Sequence, residues 1–407
     1  MKNLRVGIIG VGNIGGAHAE SIFSGRIRGM DLCGLCDAAP EKRQYLAGKY
    51  PGIPVFDDGL KLMDAGLVDT LIVATPHYFH PVYAAEALKR GLNVLSEKPA
   101  GVGVRAVKEV ICAAEQSHGA YGIMFNQRTD PLFRKAKEII DGGGLGEPKR
   151  LVWIITNWYR TQKYYDSGTW RATWNGEGGG VLLNQAPHNL DVWQWLFGMP
   201  DAVTAFVTEG KYHNIGVEDD ATIYAEYGNG ATAVFITTTG EAPGTNRLEI
   251  SGSLGKIVIE KGVLSYTKLG VSERDFCFRD GSGSSLPPLE EFSFGPYEAV
   301  SGHELILANF AASVLEGERL IAPGIDGIRE LSISNAAYLS SWTGRTVRLP
   351  LDESDVEAFE ELLENKRQCE RAGEGSGRGD AGSTAGNVCD KDISTGNNYL
   401  PRWNVKW

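Results

Sequence analysis

Three groups of residues have the types and the spacing that chemistry needs. Lys98 stands in "LSEKPAGV" (95–102), directly before Pro99 and just after a short apolar run. A charge at a strand end is ordinarily a solvated cap, and a proline there ordinarily ends the strand. A lysine near a reacting hydroxyl can instead stabilise developing negative charge, or act as a base if its pKa falls well below about 10.4. The second group, Asn184, His188 and Asp191, falls at i, i+4 and i+7, which predicts one face of a helix ending near Gly198. Imidazole, with an unperturbed pKa of about 6.5, suits proton transfer at neutral pH, although an isolated histidine on an apolar helix is more often a satisfied core residue. The third group is Gly10-Val11-Gly12-Asn13-Ile14-Gly15, a G-x-G-x-x-G pattern. Its glycines permit a tight turn and close approach of a pyrophosphate to a helix N-terminus. Asp37 follows about twenty residues later, placed to accept hydrogen bonds from an adenosine ribose. An acid there repels a 2′-phosphate, so NAD is expected over NADP; nearby Lys42 and Arg43 weaken that preference without reversing it.

The elements that must hold these residues are legible from hydrophobic period. Strands are predicted over 4–10, "DLCGLCD" (31–37), 70–74, 93–96 and "AYGIMFN" (120–126), with helices from the glycine turn to about Ser24 and over 41–49, 81–90 and 104–118. Continuous apolar strands alternating with helices mean a parallel sheet covered on both faces. After about residue 126 the pattern changes. A helix over 131–141 leads into long alternating runs, among them "KRLVWIITNW", "DATIYAEY", "ATAVFITTT" and "GKIVIEKG", with an Asn-Gly hairpin signal in "YGNGAT". The expected fold class is α/β: an N-terminal Rossmann domain (1–125), then an α+β domain with a large, mostly antiparallel sheet (126–366) ending in helices over 303–316, 326–342 and 353–366. Residues 367–407 read as a disordered tail, because the glycine- and serine-rich stretch from Arg371 is almost free of large apolar side chains.

Bulk properties bound the partners. A formal net charge of −11 over 407 residues argues against nucleic-acid and anionic-membrane partners, which favour basic surfaces. Glycines break the apolar run after Met1-Lys2 before it becomes a signal peptide, and no run approaches membrane-spanning length, so a cytoplasmic location is expected. Six scattered cysteines fit reduced thiols. Cys33-Gly34-Leu35-Cys36 spells C-x-x-C but has no second pair or nearby histidine pair, and no metal site is expected.

Taken in order, Gly10–Gly15, "ATPHYFH" (74–80), "EKP" (97–99), "FNQR" (125–128), "WR" (170–171) and "GGGVLLNQAPHNLD" (178–191) resemble the glucose–fructose oxidoreductase/inositol dehydrogenase/MocA family over roughly residues 1–365. The resemblance implies a nicotinamide cofactor held by Gly10, Gly12, Asn13, Ile14, Gly15, Asp37, Thr75, Pro76, His77, His80, Glu97, Lys98, Asn126, Trp170 and Arg171. It also implies a lysine of E-K-P facing both nicotinamide and substrate, and a catalytic histidine at His188. Many members carry aspartate where this chain has Asn184, which can orient an imidazole or a substrate hydroxyl but cannot supply the charge; Asp191 is the candidate to compensate. His77 stands where asparagine is frequent. The loop "NWYRTQKYYDSGTWRATW" (157–174) is dense in aromatic residues that suit the faces of a sugar or cyclitol and equally suit a subunit interface. Expected substrate contacts are Lys98, Asn126, Arg128, Trp158, Tyr159, Tyr165, Asn184 and His188.

The reading that follows is an NAD-dependent oxidoreductase of a sugar, sugar derivative or inositol, with a homodimer or homotetramer implied by the resemblance. Two alternatives stay open. One is an NAD-dependent glycosidase that oxidises its sugar transiently, with Tyr159 or Tyr164 as the further base. The other is a non-catalytic sensor of NAD and sugar, which the presence of both Lys98 and His188 disfavours.

Overall fold

The structure, a computed structural model, describes residues 3–280, 283–298 and 300–375. In chain order its first part alternates β1 (Leu4–Ile9), α1 (Asn13–Phe23), β2 (Met30–Cys36), α2 (Pro40–Lys49), β3 (Val55–Phe56), α3 (Gly59–Asp64), β4 (Thr70–Val73), α4 (Phe79–Lys89), β5 (Asn93–Ser96), α5 (Val104–Gln116) and β6 (Tyr121–Ile123). A 3-10 turn (Asn126–Thr129) and α6 (Pro131–Asp141) follow. Then come β7 (Pro148–Ile155), α7 (Gln162–Tyr165), α8 (Pro187–Phe197), β8 (Ala202–Glu209), β9 (Glu218–Glu226), β10 (Thr232–Thr238), β11 (Asn246–Gly252), β12 (Gly255–Glu260) and β13 (Val263–Leu269). The chain continues through α9 (Glu273–Asp275), β14 (Leu289–Phe294), α10 (Gly302–Glu316), α11 (Gly327–Thr343), β15 (Val347–Arg348) and α12 (Glu353–Gly375).

The chain divides into two compact units. Unit one comprises Met1–Arg134, Pro187–Val192 and Glu298–Leu331; unit two takes Lys135–Ala186, Trp193–Tyr297 and the chain from Ser332. The division differs from a single boundary at 125, because the start of α8 and all of α10 pack with the first sheet. That sheet is parallel, in the order β3-β2-β1-β4-β5-β6. All four residues of β4 are buried, as a strand covered on both faces requires. Strand order reverses between β1 and β4, so the loops leaving their C-terminal ends diverge and open a crevice, the place where such sheets bind ligands. Gly10 leaves β1, Thr75 lies just past β4, and Lys98 lies just past β5.

Unit two is built on nine strands, ordered β14-β13-β12-β11-β7-β10-β9-β8-β15. Every pairing is antiparallel except β7 with β10. Alternation puts Leu151, Trp153 and Ile155 of β7 beside Ala233 and Phe235 of β10 on a buried face, with Trp153 edge-on to Phe235.

Several expectations change. Strand "AYGIMFN" shortens to three residues, since Asn126 begins the 3-10 turn. The short elements β3, α3, α7 and α9 carry too few periodic positions to be read, and the pair β13–β14 is not among the expected strands. Among the described residues no helix is long and apolar enough to cross a membrane. Cys33, Cys36, Cys112 and Cys277 are free, and burial pushes the Cys36 thiol up to about 12.

The expected tail boundary at 367 falls inside a helix. Residues 367–375 continue α12, and the remainder of the expected tail lies outside the described residues. Glu370 explains the extra turns: its carboxylate accepts from the backbone N–H groups of Trp174 and Asn175, at 3.0 and 2.8 Å, and from Asn175 Nδ2 at 2.6 Å. Glu370→Ala strands those donors and is expected to cost about 1–3 kcal/mol, read from the urea midpoint. A tail that starts at 367 predicts no change.

Candidate functional site

The crevice of unit one is shaped by what its glycines leave out. Gly10 has φ +85°, and a Cβ there would meet Ala74 O at 2.6 Å and Thr75 N at 2.8 Å. A Cβ on Gly15 would lie 2.0 Å from Gly10 O, so this glycine lets α1 pack against the strand turn. Gly12 differs: nothing lies within 4 Å of an added Cβ, which leaves its backbone open to approach. Asn13 and Ile14 form the first turn of α1, whose N-terminus has no side-chain cap and no acidic residue. Its N–H groups are therefore free to receive an anion. Asp37 is oriented by two backbone donors, with Oδ2 accepting from Val11 N–H and Oδ1 from Ala39 N–H, both at 3.0 Å. Arg43 is committed to the Asp37 and Ala38 carbonyl oxygens, and Lys42 lies over the Tyr45 ring.

The next two loops are tied together. His80 is buried, with ring nitrogens 2.7 Å from Pro99 O and 2.6 Å from Thr75 O, so it braces the Thr75-Pro76 loop against the Lys98 loop. That role leaves it no edge for a cofactor, contrary to the expected contact. His77 is buried beside it. Thr75 Oγ1 is buried and has no protein partner.

Glu97 is the hinge of this region. Buried at 5% exposure, it accepts from His18 Nε2 at 2.8 Å through Oε1 and from the Lys98 backbone N–H at 3.2 Å through Oε2. Burial pushes its carboxyl up, but the His18 hydrogen bond and charge, with Lys98 and His303, outweigh burial and hold it at about 2. Lys98 itself is half-buried. His188 is the second residue of α8, after Pro187, and its buried Nδ1 has no protein partner. Burial, then the Lys98 charge, lowers its pKa well below 6.5 against the opposing pull of Glu97. The ring is thus neutral at neutral pH and can accept a proton.

Two expectations fail around α8. Asn184 does not share its face, because the helix begins at Pro187 and residues 181–186 form turns. Asp191 cannot serve His188, because Arg128 claims it: Nη2 and Nε donate to its two carboxylate oxygens at 2.6 and 2.8 Å. Arg128 Nη1 also donates to Asp326 at 2.8 Å and to Ile321 O at 3.2 Å. At 2% exposure Arg128 is a buried clamp and not the expected substrate contact.

In unit two, Asn184 donates through Nδ2 to Glu177, a buried carboxylate that also accepts from Ala172 N–H at 2.6 Å. Ala172 sits at φ +52°, a left-handed conformation this bond holds in place. Arg171 Nη1 lies 3.8 Å from Glu177 and donates to Tyr164 OH at 2.9 Å, with its guanidinium over the Tyr164 and Trp170 rings. The aromatic run has a largely structural explanation after all. Tyr165 is buried, its hydroxyl 2.7 Å from Thr239 Oγ1, and so is not a substrate contact; Trp174 is buried and donates to Gly216 O. Trp158 carries Arg160 on its ring, and Tyr159 remains 48% exposed.

Residues 4–125 match the family model described as the oxidoreductase family, NAD-binding Rossmann fold, and residues 133–258 match the GFO/IDH/MocA C-terminal domain. The chain belongs to the Gfo/Idh/MocA family. It is 24% identical over 342 residues to the inositol 2-dehydrogenase of Rhizobium meliloti (strain 1021), covering 83% of this chain and 96% of the relative. To the scyllo-inositol 2-dehydrogenase (NAD(+)) of Bacillus subtilis (strain 168) it is 24% identical over 353 residues, covering 85% and 96%. Among solved structures it is similar to the WlbA dehydrogenase of Bordetella pertussis in complex with NADH and UDP-GlcNAcA. There the identity is 25% and the TM-score 0.72, over 86% of this chain and all of that one.

As a Gfo/Idh/MocA oxidoreductase the chain uses NAD, and the glycine cradle, the uncapped α1 terminus and the orphaned Thr75 Oγ1 fit that group. Reading by motif missed His18, His303, Glu177 and Glu330. Glu330 is fully buried with no partner for either oxygen, and burial, then the Asp191 charge, raises its pKa well above 4.5. Only His18, three residues after Gly15, had a local signal, as a polar residue on the inner face of α1.

Two outcomes are expected. NADH should bind more tightly than NADPH in a fluorescence titration, and Asp37→Ala should narrow the gap; equal or tighter NADPH binding by the wild type refutes the role given to Asp37. Arg128→Met removes the buried cation shared by Asp191 and Asp326 and should cost about 3–5 kcal/mol in denaturant unfolding.

Proposed function

We propose that this protein is an NAD-dependent dehydrogenase or reductase acting on a secondary hydroxyl or carbonyl of a sugar, sugar derivative or inositol. The observation that carries the reading is a neutral His188 with an unpartnered, buried Nδ1, electrostatically coupled to Lys98 in the unit that holds the dinucleotide cradle. The names of the relatives, inositol 2-dehydrogenases among them, support the substrate class.

Bound NAD supplies the hydride acceptor. The chain's own part is to manage the proton and the charge left on oxygen. His188 takes the hydroxyl proton, because burial and Lys98 keep its ring unprotonated. Lys98 stabilises the developing alkoxide. Glu97 fixes the Lys98 backbone and stays ionised, so it is a permanent counter-charge and not a proton store. Asn126 Oδ1, buried and unpartnered, is left to accept from a ligand donor. Asn184 and Arg171, ordered by Glu177, are the groups of unit two that we assign to ligand contact.

The test is a screen of sugars and inositols with NAD⁺, following NADH absorbance and analysing products in parallel. Steady NADH formation is expected; glycoside cleavage without net NADH, or binding without either, would replace the dehydrogenase reading. On the substrate so found, Lys98→Met should fold and bind NADH while kcat falls by about 10²–10⁴. The base must be deprotonated and its pKa is lowered, so alcohol oxidation should stay level as pH falls through 6.5 and decline only below it. His188→Asn should lower kcat and remove that ionisation. Near-normal kcat in Lys98→Met would make "EKP" a mere strand end.

A further inference from the structure

His303 is the second residue of α10, after the capping Ser301, and has no role in the reaction described above. Its Nδ1 lies 3.3 Å from Asn126 Nδ2. Backbone packing enforces the approach. A Cβ on Gly302 would meet Asn126 O at 2.9 Å, Thr129 Oγ1 at 3.0 Å and Asn126 Cβ at 3.3 Å, so only glycine lets α10 start against this turn. The other end of the carboxamide, Oδ1, is buried without a protein partner. An amide has one accepting and one donating end, and whichever the imidazole takes decides which is left for a ligand.

We infer that His303 is a positioning residue that sets the polarity of Asn126. Neutral His303 accepts from the amide and leaves the carbonyl oxygen for a ligand donor; protonated His303 reverses the amide and leaves its N–H₂. The ligand donor is an O–H or N–H, of the dinucleotide or of the substrate. The groups facing His303 come from four elements, among them His188 of α8, whose own pKa His303 helps to lower. His18 of α1 has its ring centroid 5.8 Å away, and Glu97 and Lys98 act from the loop after β5. Glu304, next on α10, is held by Ser21 and Arg26. Burial, with His18 and Lys98, disfavours the imidazolium and outweighs Glu97, and the N-terminus of α10 acts in the same direction. At neutral pH Nδ1 therefore accepts. When pH falls through a pKa below the usual 6.5, Nδ1 gains a proton and two donors face each other. A half-turn of the carboxamide restores the hydrogen bond and exchanges acceptor for donor at the ligand.

The functional consequence rests on Asn126 as a ligand contact, but the coupling itself can be read without any substrate. The full chain, labelled with ¹⁵N-asparagine, is titrated from about pH 8 to about pH 5 across the imidazole range. The Asn126 side-chain resonances are identified by their loss in Asn126→Ala. They should move with a single ionisation in the wild type and stay still in His303→Asn, which offers an amide at the Nδ1 position with nothing to titrate. Resonances that stay still in the wild type, or that move equally in His303→Asn, overturn the inference. His303→Leu, which has no acceptor, should weaken ligand binding about 5- to 20-fold at neutral pH, the worth of about one hydrogen bond; His303→Asn should restore it. A loss of NADH affinity assigns the donor to the dinucleotide, and a rise in KM alone assigns it to the substrate. No change in either would overturn the ligand role. If no sugar or inositol is turned over, the dehydrogenase reading falls, and the amide titration still decides this one.

Discussion

A single buried carboxylate holds the reactive end of unit one in register. Glu97 binds His18 of the cofactor helix with one oxygen and the Lys98 backbone with the other. Removing a carboxylate from water is costly unless it is paired and hydrogen-bonded, so this group is stable only when α1 and the Lys98 loop are both in place. Helix α1 and the Lys98 loop are therefore positioned by one interaction. His80 adds a second contact, its buried ring lying between the Thr75 and Pro99 carbonyls and donating to one of them at a time.

The histidine is fixed by a different device of the same kind. Arg128 grips Asp191, one turn along α8 from His188, and reaches Asp326 just ahead of α11. A fully desolvated guanidinium needs acceptors for its N–H groups, and the fork geometry of this pair admits little rotation of the helix. His188 stands one turn from this ion pair, and burial with the Lys98 charge keeps its ring uncharged.

The substitution of Asn184 for the usual aspartate acquires a physical sense in this setting. The negative charge is not lost but displaced to Glu177, which orders Asn184, Arg171 and the strained Ala172 together.

What the sequence determines by itself is local. The Gly10–Gly15 turn, Asp37 one strand later and Lys98 at a strand end are legible because φ, helix start and strand end depend on neighbouring residues. The order of such motifs along the chain suffices for the family and for the two sheets. Partnerships across long separations are not local, and only the tertiary structure decides them. His18 and Glu97 are 79 residues apart, Arg128 and Asp191 63, and Asn126 and His303 177. Arg128 and Tyr165 look like ligand contacts in the sequence and are buried partners in the fold, while His303 looks unremarkable and lies against Asn126. Regular spacing also misplaced Asn184, because Pro187 starts the helix after it; proline fits the first helical turn, and the turns before it pack on their own terms. Residue type and spacing name the groups able to do chemistry, but burial and the choice of partner decide which of them are free to do it.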